Sequence, residues 1–78
     1  MSITPEQCKS ARELLGWQQS ELAYDSGVSQ TDISLFEAGK GRRAFGEQIA
    51  IQLALEQGGV EFLSEKGEGL GVRLRKSK

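Results

Sequence analysis

The chain has 78 residues, 37% hydrophobic and 27% charged, with a net charge of −1; that is the size and composition of one small globular domain. With one cysteine and no histidine it can form no internal disulfide, no Cys/His zinc site and none of the histidine-based catalytic systems, so neither an enzyme nor a metal or other cofactor is expected. Its longest apolar run, "IAIQLAL", falls far short of the ~20 residues of a membrane span, and no secretory leader is recognised, which together predict a cytoplasmic location and no membrane partner.

The first helix is announced by its caps. Thr4 is a good N-cap, Pro5 suits the first helical position, and Gln7 completes a capping box with Thr4. Cys8, Ala11, Leu14 and Leu15 recur at helical spacing and predict one apolar stripe, with Cys8 as a small buried side chain. Gly16 ends the helix in the left-handed conformation. Trp17 is expected to plug the core between this helix and the next.

A short second helix is predicted over about Gln19 to Ser26, with Leu22 and Ala23 inward. Gly27 breaks it, Val28 is buried in the turn, and Ser29 caps a third helix that runs to about Ala38, where Gly39 and Gly41 end it. A fourth helix covers "AFGEQIAIQLALEQ", closed by Gly58 and Gly59, with a break near Gly46 left open. The tail then alternates apolar and charged residues, which predicts a β-hairpin pairing Val60–Leu63 with Val72–Arg75. Val60 and Phe62 would share a face with Val72 and Leu74, and Glu61 would meet Arg73 or Arg75 across the strands. The final "RKSK" is expected to fray. Residues 1–59 thus form the helical part, and residues 60–78 a hairpin and basic tail of the same domain.

The helix–turn–helix pattern lies in "QSELAYDSGVSQTDISLFEAG". At about 100° per residue, Ile33, Phe36 and Glu37 fall on one side of the third helix. Thr31, Ser34 and Leu35 fall opposite, with Gln30 and Asp32 on the flanks. The outward face is small and polar, as a helix entering a major groove requires. Gln30 could bond an adenine edge at two points, Thr31 and Ser34 could reach bases or phosphates, and Leu35 could touch a thymine methyl. A merely solvated helix face would carry the same residues. Asp32 is read as a fold residue: with Ser29 it makes a capping-box-like pair at the positive end of the helix dipole. Acceptance from a cytosine amino group is its functional alternative.

Charge is segregated along the chain. Residues 1–39 carry −4, residues 40–46 carry +3, residues 47–65 carry −4 and residues 66–78 carry +4. Two basic segments can make a local positive surface on a chain that is not basic overall.

At this point "ELLGWQQSELAYDSGVSQTDISLFEAGKGRR" resembles the Cro/C1-type, or XRE-like, helix-turn-helix of phage repressors and bacterial transcription regulators, over about residues 5 to 58. "GVEF" followed by a Gly-rich turn and "GVRLR" resembles very short bacterial members of that family and extends the likeness over nearly the whole chain. The resemblance implies a mainly α, four- to five-helix lambda-repressor-like DNA-binding domain with a short C-terminal β-hairpin. It implies that Gln19 bonds a phosphate and braces Gln30, that Gln30, Thr31 and Ser34 face bases, and that Lys40, Arg42 and Arg43 meet the DNA backbone. Arg12 and Glu37 match a pair bridging the first and third helices, and this fits their geometry, because a buried acid needs a partner. Gln18 stands where the family has Ser or Thr, which predicts a weaker start to the second helix. The loop "AGKGRRAFG" has extra glycine and lacks the usual proline.

The fourth helix carries two apolar stripes, Phe45, Ile49 and Leu53 on one side and Ile51 and Leu55 roughly opposite. One stripe suffices for a surface helix. Either the helix is buried all round beneath the hairpin, or Ile51 and Leu55, or the hairpin edge, form a two-fold dimer contact. A chain this short buries roughly 60–65% of its unfolded surface, and two-fold symmetry would place two recognition helices one DNA turn apart, so a homodimer is expected. The expected function is sequence-specific binding of double-stranded DNA, as a repressor or autoregulator, with the helix 30–38 in the major groove. The alternative is a protein-interaction module that keeps the fold, such as an antitoxin or adaptor, which the slightly negative net charge favours.

Overall fold

A computed structural model of the chain describes residues 3–40, 45–62 and 71–74. Within them are four helices, α1 (Pro5–Leu15), α2 (Gln19–Ser26), α3 (Gln30–Glu37) and α4 (Phe45–Gln57), followed by two strands, β1 (Val60–Phe62) and β2 (Val72–Leu74). The fold is mainly helical with a short antiparallel hairpin at its C-terminal end.

Local signals set most of the boundaries. Thr4 Oγ1 accepts from the Gln7 amide and Gln7 Oε1 accepts from the Thr4 amide, each at 3.0 Å, so the capping box closes on both sides. Gly16 and Gly27 stop α1 and α2 at φ 72° and 77°, a left-handed conformation that glycine adopts without a Cβ clash. The start of α2 is held despite the absent Ser or Thr, because the Glu21 carboxylate accepts the Gln18 backbone N–H at 2.6 Å. Ala38 lies just past α3 as its C-cap. α4 runs unbroken through Gly46. The hairpin register pairs Val60 with Leu74, Glu61 with Arg73 and Phe62 with Val72, and the Arg73 guanidinium donates to Glu61 at 3.0 Å.

The core gathers Cys8 and Ala11 of α1, Leu22 of α2, Val28, Ile33 and Phe36 around α3, Ile51, Ala54 and Leu55 of α4, and Val60 of β1. Ile3 joins them, a burial that α1's cap and stripe do not announce. α2 packs on α3 and α4, and the hairpin packs on α1 and α4, which supplies the support that an isolated two-stranded hairpin lacks.

Two expectations fail. Leu14 is exposed: it lies at the edge of the arc whose centre is occupied by Ala11, Cys8 and Leu15, and α1 turns it away from the core. On α4 the stripes have the opposite roles to the expected dimer contact. Ile51 and Leu55 are buried within the chain, and the exposed pair is Ile49 and Leu53. A helix seated on α1, α2 and β1 uses one stripe for that seat, so Ile51 and Leu55 are not free to meet another copy. The burial of α4 all round fails for the same reason. The Phe45 side chain, Arg42, Arg43, Gly41, Ala44, Leu63, Arg75 and the final "RKSK" lie outside the described residues.

Candidate nucleic-acid interface

The outward side of α3 follows from its inward side. Ile33 and Phe36 are buried against the core, and Ser29 Oγ accepts the Asp32 amide at 3.1 Å, which fixes the first turn. With that rotation set, Gln30, Thr31, Ser34 and Leu35 are exposed and Asp32 is half-buried at their flank. These four exposed residues and Gln19 of α2 line one shallow concavity of about 340 Å³. The structure therefore brings together Gln19, Gln30, Thr31 and Ser34, four of the residues the sequence marks for DNA, and adds Leu35 beside them. Lys40 is exposed just beyond the C-terminal end of α3, where its backbone N–H closes onto the Leu35 carbonyl at 2.8 Å.

Beneath this surface lies a buried polar network. Arg12 grips Glu37 through two parallel bonds, Nε to Oε2 at 2.8 Å and Nη2 to Oε1 at 2.9 Å. Its remaining Nη1 donates to the Trp17 carbonyl at 2.9 Å. Glu37 also accepts from Gln19 Nε2 at 3.0 Å and from the Cys8 thiol at 3.3 Å. One carboxylate thus ties α1, α2 and α3 together, with the Arg12 and Glu37 side chains only 12% and 5% exposed. Two-point guanidinium–carboxylate bonding is among the stronger hydrogen-bond arrangements.

The ionisation states follow from this packing. Burial alone would raise the Glu37 carboxyl, but the bonds from Arg12, Gln19 and Cys8, with the Arg12 charge, outweigh it and hold the group below the ordinary carboxylate range. The hydrogen bond to Glu37 raises Arg12 above its usual value. Burial, and then the charge of Glu37, push the Cys8 thiol up, so it stays neutral and acts as a donor. A neutral, fully buried thiol is inert towards oxidants and metals.

Two details differ from the sequence reading. Among the described hydrogen bonds Gln19 braces Glu37, not Gln30, because about two turns along α3 the buried carboxylate offers it an anionic acceptor. Its second amide N–H and its carbonyl oxygen are left for the concavity. Asp32 does not complete a box with Ser29 among the described hydrogen bonds. Its carboxyl instead acts on Glu47, in the first turn of α4. Partial desolvation and the bond and charge of Asp32 raise the Glu47 carboxyl above its ordinary value. Neither contact was visible in the sequence, since each joins residues at least fifteen positions apart on different helices.

Compared with protein-family models and with curated proteins, the sequence matches none.

Proposed function

We propose that the chain is a sequence-specific DNA-binding transcriptional regulator of the helix-turn-helix kind, a repressor or autoregulator, that inserts α3 into the major groove. The observation that carries this reading is the concavity at the start of α3. Gln19, Gln30, Thr31, Ser34 and Leu35 line it together, while the one acid in the last turn of the helix is turned inward and neutralised by Arg12. Amide and hydroxyl groups on an exposed first turn and a half suit base edges. Gln19, Lys40, Arg42 and Arg43 supply the phosphate contacts, which carry affinity without sequence preference.

The regulator acts as a homodimer in the cytoplasm, on two half-sites one DNA turn apart. Ile49 and Leu53, exposed at 42% and 51%, are the large apolar side chains of α4 left over for a second copy among the described residues. No described helix is long and apolar enough to cross a membrane.

The test is selection from a randomised duplex pool, read by fluorescence anisotropy across a salt series. The expected result is an enriched inverted repeat with a steep salt dependence. Gln30→Ala should relax base preference by about 1–3 kcal/mol at the contacted position. Arg43→Ala should weaken all sequences alike and flatten the salt slope. No enrichment, or equal effects of both changes on specific and random DNA, would overturn the reading.

A further inference from the structure

We propose that the side of the molecule carrying Trp17, Glu21, Tyr24 and Asp25 is a docking surface for an arginine-bearing segment of a partner protein. This inference does not rest on the DNA reading. The surface is a groove made of two adjoining clefts of about 310 Å³ each. One is lined by Trp17, Ser20, Glu21, Tyr24 and Asp25, and the other by Trp17, Asp25, Ala54, Gln57 and Gly58. Trp17 and Asp25 belong to both, so the two clefts run together across α2 and the end of α4.

The aromatic lining has more exposure and more order than the fold needs. Tyr24 is 88% exposed, far beyond any other large hydrophobic side chain described, and it contributes almost nothing to the core. Trp17 is half-buried and held in place. A Cβ at Gly58 would lie 2.8 Å from the edge of the indole ring and 2.9 Å from Leu15, so glycine there makes room for the ring. The Trp17 carbonyl is in turn held by Arg12. A ring fixed before binding loses little freedom when a ligand stacks on it.

Charge decides what that ligand is. Glu21 and Asp25 are the only charged residues of α2, and both line the groove. Glu21 is oriented by its bond to the Gln18 amide. Asp25 has no hydrogen-bond or ion-pair partner among the described residues. Carboxylates beside aromatic faces attract cations and repel phosphate. A guanidinium suits the site better than an ammonium, because it is planar, stacks on Trp and Tyr, and presents a fork of N–H donors to a carboxylate. The groove shares no lining residue with the concavity on α3, so both surfaces can be occupied together.

Trp17 is the sole tryptophan, so its emission reports on this groove directly. The full chain is titrated at physiological salt with a short arginine–glycine peptide and with its lysine–glycine counterpart. The expected result is a saturable change in Trp17 emission with the arginine peptide and clearly weaker binding of the lysine one. Asp25→Asn and Tyr24→Ala should each weaken the arginine peptide by roughly tenfold, while thermal unfolding and duplex binding stay as in the parent. Absence of a saturable change, equal affinity for the two peptides, or unchanged affinity in both variants would each overturn the proposal. None of those outcomes bears on the duplex assay, so the two readings fail separately.

Discussion

α3 and α4 both lie against the core with one side to solvent, and they treat that side differently. α3 buries Ile33 and Phe36 and presents mainly small polar groups outward. α4 buries Ile51, Ala54 and Leu55, yet leaves Ile49 and Leu53 outside. A polar outer face is complete as it stands in water and gains specificity only from a polar partner. An apolar outer pair is incomplete, and its burial by a second copy would be favourable. The α3 side is also anchored from beneath by a saturated carboxylate, whereas the seat of α4 is made of apolar side chains, Trp17 and Gly58. The α3 side adds directional bonds to its apolar packing, whereas the α4 side rests mostly on packing.

The largest expected effect breaks the directional half. Glu37→Ala would leave the Arg12 guanidinium buried and unpaired, and losing one partner of such a pair costs about 3–5 kcal/mol. In a small domain whose total stability is of order 5–15 kcal/mol, urea unfolding should show most of the margin gone. A loss below about 1 kcal/mol would mean the pair behaves as a surface one. The same carboxylate sets the acid limit. Its folded value is depressed, so its contribution is present above its unfolded value and is lost as pH falls through the lower folded one. Glu37→Gln should therefore differ most from the parent near neutrality and converge with it in acid.

The packed half is tested two positions apart. Leu55→Ala removes a fully buried side chain and should cost about 2–5 kcal/mol. Leu53→Ala, half-exposed, should change monomer stability by about 0.5 kcal/mol or less. Sedimentation equilibrium tests the proposed homodimer separately: if Leu53 meets a second copy, Leu53→Glu should abolish self-association where Leu55→Ala merely destabilises the fold. Equal costs for the two alanine variants would mean that the stripes are not divided between core and surface.

How far these features could be read in advance depends on the range of the interaction. The caps at Thr4, Gly16, Gly27 and Ser29 are set by neighbours three or four positions away, and each was legible. So was the face on which Glu61 meets an arginine, because alternation fixes which strand residues share a face, but the choice of Arg73 over Arg75 is set by the register. The outward set on α3 was legible because that helix has one apolar side. α4 has two, and helical period alone cannot say which meets the core. Leu14 lies outside the core for a related reason: spacing marks an arc, and only the neighbouring elements define its centre. The Gln19–Glu37 bond and the Asp32–Glu47 contact depend on how helices are set against each other, which no local pattern encodes.

A smaller effect sharpens the cap. Ser29→Ala removes the side-chain acceptor of the Asp32 amide at the start of α3, and such losses cost about 1 kcal/mol. The same variant should weaken duplex binding in the proposed function, since Gln30 and Thr31 stand in the turn that the cap fixes. Unchanged melting temperature together with unchanged amide-exchange protection at the start of α3 would show that the cap contributes nothing there.

The smallest effect concerns the acid in the first turn of α3. Asp32 suits the positive end of α3 by roughly 0.3–1 kcal/mol, but it also acts on Glu47, whose carboxyl is raised above its ordinary value. A carboxyl with a raised folded value contributes stability that is fully present below its unfolded value and is lost as pH rises through the folded one. At neutral pH the charge of Asp32 therefore weighs against the ionised Glu47 in the folded parent. Glu47→Gln removes the repulsion and keeps the helix-end benefit of Asp32. Its melting temperature should exceed the parent's at pH 7, fall to the parent's value or below once the parent's Glu47 is protonated, and lose most of its advantage in high salt, which screens exposed charges. If the variant melts no higher than the parent at pH 7 and low salt, the two acids do not meet in solution, and Asp32 is free to act outward on the face that α3 presents.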